Sequence, residues 1–146
     1  MLANCLSSIK LIELFRLHRA NPIPSNISIS QMLPEIWYLG SEIEIISPPN
    51  TPDMLRYSAS KRAFAKYARA YYDDRDFLYR HIIPAGFTSS MGKGLVSADW
   101  AAAVTMFFVR RGARYVPVTY TGMAYLNYFR FMGLEPVKAE EEVDGK

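Results

Sequence analysis

The sequence predicts an α/β fold, a partial parallel sheet of about three to four strands flanked by helices. Three observations predict it. Short β-rich runs alternate with longer segments of helical period. Pro and Gly punctuate the joints between them. The 146 residues are 50% hydrophobic and 14% aromatic, which suits one domain with a sizeable core.

Taken in order, "SIKLIELFRLHRA" predicts a helix, because Ile9, Ile12, Leu14, Phe15 and Leu17 gather near one face. Asn21-Pro22 and then Pro24 interrupt it. "SNISISQMLPEIWYL" has two readings: its first half alternates like a strand, while Ile27, Ile29, Met32, Leu33 and Ile36 also suit a helix. "EIEIIS", residues 42–47, reads as a strand stopped by Pro48-Pro49. Asp53 is the expected cap of a long helix running to about Asp73. "FLYRHII", residues 77–83, is the next strand, ended by Pro84 and Gly86. Ser97 caps a helix over "SADWAAAVTMFFVRRG", with basic residues at its end and Gly112 as its stop. "ARYVPVT" is a third strand and "GMAYLNYFRFMG" a short aromatic helix. Residues 1–137 form the body, and 138–146 a polar tail prone to fray.

Several function classes drop out. The net charge of +3 is small and evenly spread, which argues against nucleic acid as a partner. Arg56, Lys61, Arg62, Lys66 and Arg69 give one helix a basic, solvated face. Cys5 is the single cysteine, so no internal disulfide forms, and a reducing, cytoplasmic location is expected. The longest apolar run, "WAAAVTMFFV", is half of a bilayer span, and the N-terminus lacks the pattern of a signal peptide. His18 and His81 stand apart, and no cluster has metal-ligand spacing, so no metal is expected. Tyr125, Tyr128, Phe129 and Phe131 read as core or oligomer contact, with a pocket lid or a peripheral membrane contact as alternatives.

The chemistry concentrates in "RYSASKRAF", residues 56–64. Tyr57 and Lys61 are four apart near the start of a helix and face the same way. A free tyrosine ionises near pH 10, and a cation held beside it favours the phenolate. Such a phenol takes a proton from an alcohol or gives one to a carbonyl oxygen. Ser47, at the end of the preceding strand candidate, can hold the same oxygen.

At these residues the chain resembles the short-chain dehydrogenase/reductase family, whose mark is Tyr, three residues and Lys, here "YSASK". "ELFRLHRANPIPSNISISQMLP" resembles the stretch carrying the family's helix asparagine, which makes Asn21 that residue. "SEIEIISPP" resembles the strand ending in the catalytic serine, which makes it Ser47; Ser30 is the alternative. "HIIPAGFTSSM" resembles the strand and loop that close over the nicotinamide, and "SADWAAAVTMFFVRRGARYVPV" the late helix and last strand. The resemblance implies a Rossmann-like fold and NAD- or NADP-dependent oxidation of an alcohol or reduction of a ketone. By it, Tyr57 is the acid/base and Lys61 its cation and a ribose ligand. Ser47 holds the substrate oxygen and Asn21 anchors a relay water, while Pro84, Gly86, Phe87 and Ser89 join Tyr57 and Lys61 around the cofactor.

Three departures qualify this. Ser47 lies only ten residues before Tyr57 and is followed by Pro48 where the family often has a second serine. "PAG" replaces the usual Pro-Gly, and no Gly-x-x-x-Gly-x-Gly occurs in the 146 residues. "MLANC" reads as the remnant of the family's fourth strand, so the expectation is a catalytic half without its N-terminal βαβ portion. Such a half has a bare strand edge that a second copy or another partner covers. The competing expectation is a non-catalytic remnant acting as a subunit or interaction module.

Overall fold

The computed structural model of the chain describes residues 3–20, 34–45, 50–86, 94, 96–119 and 123–138. Its elements are α1 (Ala3–Ala20), β1 (Glu35–Leu39), a 3-10 turn (Glu42–Glu44), α2 (Pro52–Tyr72), β2 (Leu78–Pro84), α3 (Ala98–Val109), β3 (Tyr115–Val118) and α4 (Met123–Met132). Among the described residues the sheet has three strands in the order β1-β2-β3. Both pairings are parallel, with Leu39 opposite Ile82 and Pro84 opposite Val118, so the C-terminal ends of the strands lie along one edge.

Side chains alternate between the faces of a strand. Tyr79 and Ile83 of β2 and Tyr115 of β3 point into a core with residues of α1, α2 and α4, including Phe64, Tyr71 and Phe131. Ile82, Val116 and Val118 point the other way, onto Ala101 of α3. Helix α2 begins as the sequence dictates: Pro52 occupies its first turn, where a missing N–H costs nothing. Thr51, not Asp53, is the cap residue; Asp53 sits in the first turn, where its charge suits the helix dipole. Helix α3 starts at Ser97, whose hydroxyl accepts from Trp100 N at 3.2 Å, and closes at Gly112 with φ +83°.

Two further expectations are corrected. The described part of the expected strand at 42–47, "EIEI", is not a strand: Glu42–Glu44 is a 3-10 turn, and the strand is "EIWYL" seven residues earlier. Gly40 and Ser41 separate the two. A Cβ at Gly40 would fall on the Glu44 carboxylate and lie 2.6 Å from Ile83 Cδ1, so this close approach needs glycine. Ser41 then caps the turn: its Oγ accepts from Ile43 N at 3.4 Å, and its own N–H donates to Glu44 Oε1 at 3.0 Å. The apparent alternation thus buries Ile43 and turns Glu44 inward instead of extending a ladder. Of "MLANC", expected as a strand remnant, the described residues Ala3 to Cys5 instead open α1, and Cys5 is buried in the core.

Candidate functional site

Tyr57 and Lys61 lie in the second and third turns of α2, beside the C-terminal end of β1. Lys61 Nζ donates to Leu39 O at 3.0 Å and to the Tyr38 hydroxyl at 3.2 Å. It stands 4.8 Å from the centre of the Tyr38 ring and 5.8 Å from that of Tyr57. The ammonium is therefore held between two phenols, within the range of cation–π attraction. Burial pushes the Lys61 pKa below its ordinary value, and the Glu44 carboxylate opposes that shift. Tyr57 itself is 39% exposed.

The small residues of "YSASK" serve the fold. Ser58 and Ser60 are buried, and Ser58 Oγ donates to Ile43 O at 3.1 Å. That bond ties the start of α2 to the turn after β1. What packs closely over the helix start is the chain's own turn.

Tyr38 stacks on Phe64 with ring centres 4.1 Å apart. Burial first, and then the Glu44 charge, push its pKa upward, so it stays a neutral phenol that accepts from Lys61. Beneath it lies a second polar group. His81 is fully buried in β2, with Nε2 2.9 Å from Glu44 Oε2 and Nδ1 3.0 Å from the Tyr79 hydroxyl. A carboxylate only accepts, so Nε2 carries the proton toward Glu44, and in the neutral ring Nδ1 accepts from Tyr79. The His81 ring stacks on Tyr115 and Phe131 at 5.7 and 4.8 Å. Glu44 thus holds the Ser41 backbone with one oxygen and His81 with the other.

Of the expected site residues, Tyr57 and Lys61 are brought together. Pro84 ends β2 on the same sheet edge, and Gly86 follows it, exposed. Asn21, Ser30, Ser47, Phe87 and Ser89 lie outside the described residues. The described serine nearest the end of β1 is Ser41, in extended backbone two residues after Leu39. Sequence reasoning passed over it, although Ser-x-x-Glu at 41–44 is itself a helix-start signal that ends a strand. Tyr38 and Glu44 were also missed; nothing in their spacing from Lys61 marks them.

Arranged this way, the strand end offers an exposed phenol, a partly buried ammonium and a serine. Such a set can bind an oxygen and exchange a proton with it. Among the described residues no group of His, Cys, Asp and Glu is placed to hold a metal ion, and no helix is long and apolar enough to cross a membrane. Compared with protein-family models, curated proteins and solved structures, the chain matches none.

Proposed function

We propose that the chain is the catalytic portion of an NAD(P)-dependent oxidoreductase of the short-chain dehydrogenase/reductase kind, acting on an alcohol or ketone. The placement of Lys61 beside the Tyr57 ring, at the C-terminal end of a parallel strand, carries this reading. Tyr57 exchanges a proton with the substrate oxygen. Lys61 supplies the positive charge next to it. Ser41 takes the part that the resemblance gave to Ser47, since it follows the observed strand end and is fixed there by Glu44. Asn21 keeps the relay role that the resemblance implies.

The cofactor, when bound, gives or takes the hydride. The residues present fit its nicotinamide-ribose end: Lys61 has an ammonium for ribose hydroxyls, and Pro84 and Gly86 border the same edge. The 146 residues carry no glycine-rich turn for the pyrophosphate. The chain by itself is therefore expected to show no saturable NADH or NADPH binding below about a millimolar.

The test joins the chain to a nucleotide-binding half and follows NAD(P)H absorbance with a panel of ketones. Tyr57→Phe should lose about a hundredfold or more in turnover, and Ser41→Ala should lose more than Ser47→Ala. Near-normal turnover in Tyr57→Phe would remove the assignment.

One observation favours a second reading, a non-catalytic subunit. Both hydrogen bonds of Lys61 go to β1, to Leu39 O and Tyr38, so the lysine already has a structural task. Tight cofactor binding by the chain alone would reject this reading.

A further inference from the structure

The Lys61 ammonium is held by uncharged groups. Its two hydrogen-bond acceptors are Leu39 O at 3.0 Å and the Tyr38 hydroxyl at 3.2 Å. Among the described residues no carboxylate lies within ion-pair distance of it. Glu44, whose charge acts on it from a distance, has its two oxygens taken by Ser41 N–H and His81. We propose that Lys61 is a nucleophile that forms an imine with an aldehyde, an aromatic one by preference. This chemistry needs no nicotinamide and transfers no hydride, so its test is separate from that of the oxidoreductase reading.

Three features point to it. The first is the count of bonds. An ammonium has three donors, whereas a neutral amine has two N–H groups and a lone pair. Two acceptors on β1 match two N–H groups, and the third position of Nζ has no oxygen partner among the described residues. The second is burial. Lys61 is half-buried, while Lys10, Lys66 and Lys138 are exposed. Taking the ammonium out of water lowers its pKa, and the lack of a close carboxylate leaves much of that effect in place. The third is the flanking rings. The Tyr38 and Tyr57 ring centres lie 4.8 and 5.8 Å from Nζ. Aromatic walls at that distance favour an aromatic ring over an aliphatic one on the bound carbonyl.

The unprotonated fraction of Lys61 attacks the carbonyl carbon and forms a C–N bond. The carbonyl oxygen then leaves as water, which carries off both amine hydrogens. The product has C=N where the aldehyde had C=O, and nothing is oxidised or reduced. When the imine takes up a proton, its single N–H still has Leu39 O as acceptor. The fraction of Lys61 that stays protonated keeps the role of the positive charge beside Tyr57.

The test treats the 146-residue chain with benzaldehyde and sodium cyanoborohydride, which delivers hydride to an imine and fixes it as a stable amine. Peptide mass spectrometry gives the labelling rate at each lysine. At pH 7 Lys61 should label at least about fivefold faster than Lys10, Lys66 and Lys138. That excess should shrink as the pH rises to about 10, where exposed lysines also lose their protons. Cyclohexanecarboxaldehyde, of similar size, is the control for the ring. The rate ratio of benzaldehyde to this control should be about threefold higher at Lys61 than at Lys66. Tyr57→Leu, at an exposed position, should lower that ratio at Lys61. Labelling of Lys61 no faster than of the three exposed lysines at pH 7, or an excess that does not shrink with rising pH, would overturn the proposal. Equal ratios at Lys61 and Lys66 would overturn the aromatic preference, and an unchanged ratio in Tyr57→Leu would overturn the part given to that ring.

Discussion

The two faces of the sheet are built differently. On the side of α1, α2 and α4 the core is aromatic and closed: Phe64, Tyr71, Phe77, Tyr79, Tyr115 and Phe131 are all buried. On the side of α3 the buried cluster is four small or medium residues, Ile82, Ala101, Val116 and Val118. The contrast is sharpest in β1. Ile36 and Tyr38 pack against the aromatic core, whereas Trp37 and Leu39, on the opposite face, are 42% and 62% exposed. Helix α3 covers β2 and β3 and leaves β1 open on that face, and it exposes Phe107 and Phe108 of its own. One strand therefore serves a finished interior and an unfinished surface. The candidate catalytic group sits where the finished side meets the strand end, which gives Lys61 a rigid support in Tyr38 and Phe64.

Truncation in each core tests this contrast most directly. Phe77→Ala removes a ring, 1% exposed, that contacts Phe15 and Tyr71. It should cost roughly 3–5 kcal/mol, a large part of the stability of a small domain. Val118→Ala in the thinner cluster removes two methyl groups and should cost about 2 kcal/mol. Urea denaturation of both variants compares them. Equal losses would mean that the α3 side is packed as fully as the other.

A smaller effect is expected at the polar edge of the thinner face. Arg80, only 7% exposed at its side chain, donates to both Glu35 oxygens, at 2.9 and 2.6 Å, and also to Ala113 O. The bonds from Arg80 hold the Glu35 carboxyl below its ordinary range. A carboxyl with a lowered folded pKa contributes stability above its unfolded pKa. That contribution is lost as pH falls through the folded pKa. Glu35→Gln should thus be less stable than wild type at pH 7 by about 1–2 kcal/mol, a range that allows for solvent screening of the exposed carboxylate. The gap should close as pH drops below about 4.5, the ordinary carboxyl value, and vanish below the lowered one. Thermal unfolding of the two proteins from pH 7 to pH 2 gives the comparison. A gap that stays constant into acid would show that charge at Glu35 contributes nothing.

These contrasts explain what the sequence made legible. The helices at 52–72, 98–109 and 123–132 and the strands at 78–84 and 115–118 stand where period and punctuation put them. Strand β1 was misplaced because "EIEII" alternates more cleanly than "EIWYL". The deciding factors were tertiary: the register of Leu39 against Ile82 and the approach of Glu44 to Gly40. Tyr57 and Lys61 were readable because helix geometry alone pairs positions four apart. Tyr38, Glu44 and His81 were not, since they converge from two strands and a turn, and no local period encodes that meeting. His81, which carries no metal-ligand spacing in the sequence, is the buried partner of the Glu44 carboxylate.

The smallest effect on stability, and the most telling about the open face, is expected at Trp37 and Leu39. An exposed apolar surface on an edge strand invites association, because its N–H and C=O groups and its side chains can both be covered by another chain. Among the described residues β1 pairs only with β2, so its outer edge has no ladder partner. The 146-residue chain is expected to self-associate through this edge. Trp37→Ser/Leu39→Ser changes exposed side chains outside both buried clusters. Its unfolding free energy per chain, compared at high dilution, should shift by no more than about 0.5 kcal/mol per site. Its tendency to associate should nonetheless fall sharply, because each side chain loses the apolar area that a neighbour would cover. Sedimentation velocity over a range of concentrations reads the second effect, and urea denaturation at the lowest concentration reads the first. If the double variant associates as strongly as the wild type, the contact lies elsewhere, and the exposed aromatic residues of α3 are the next surface to alter.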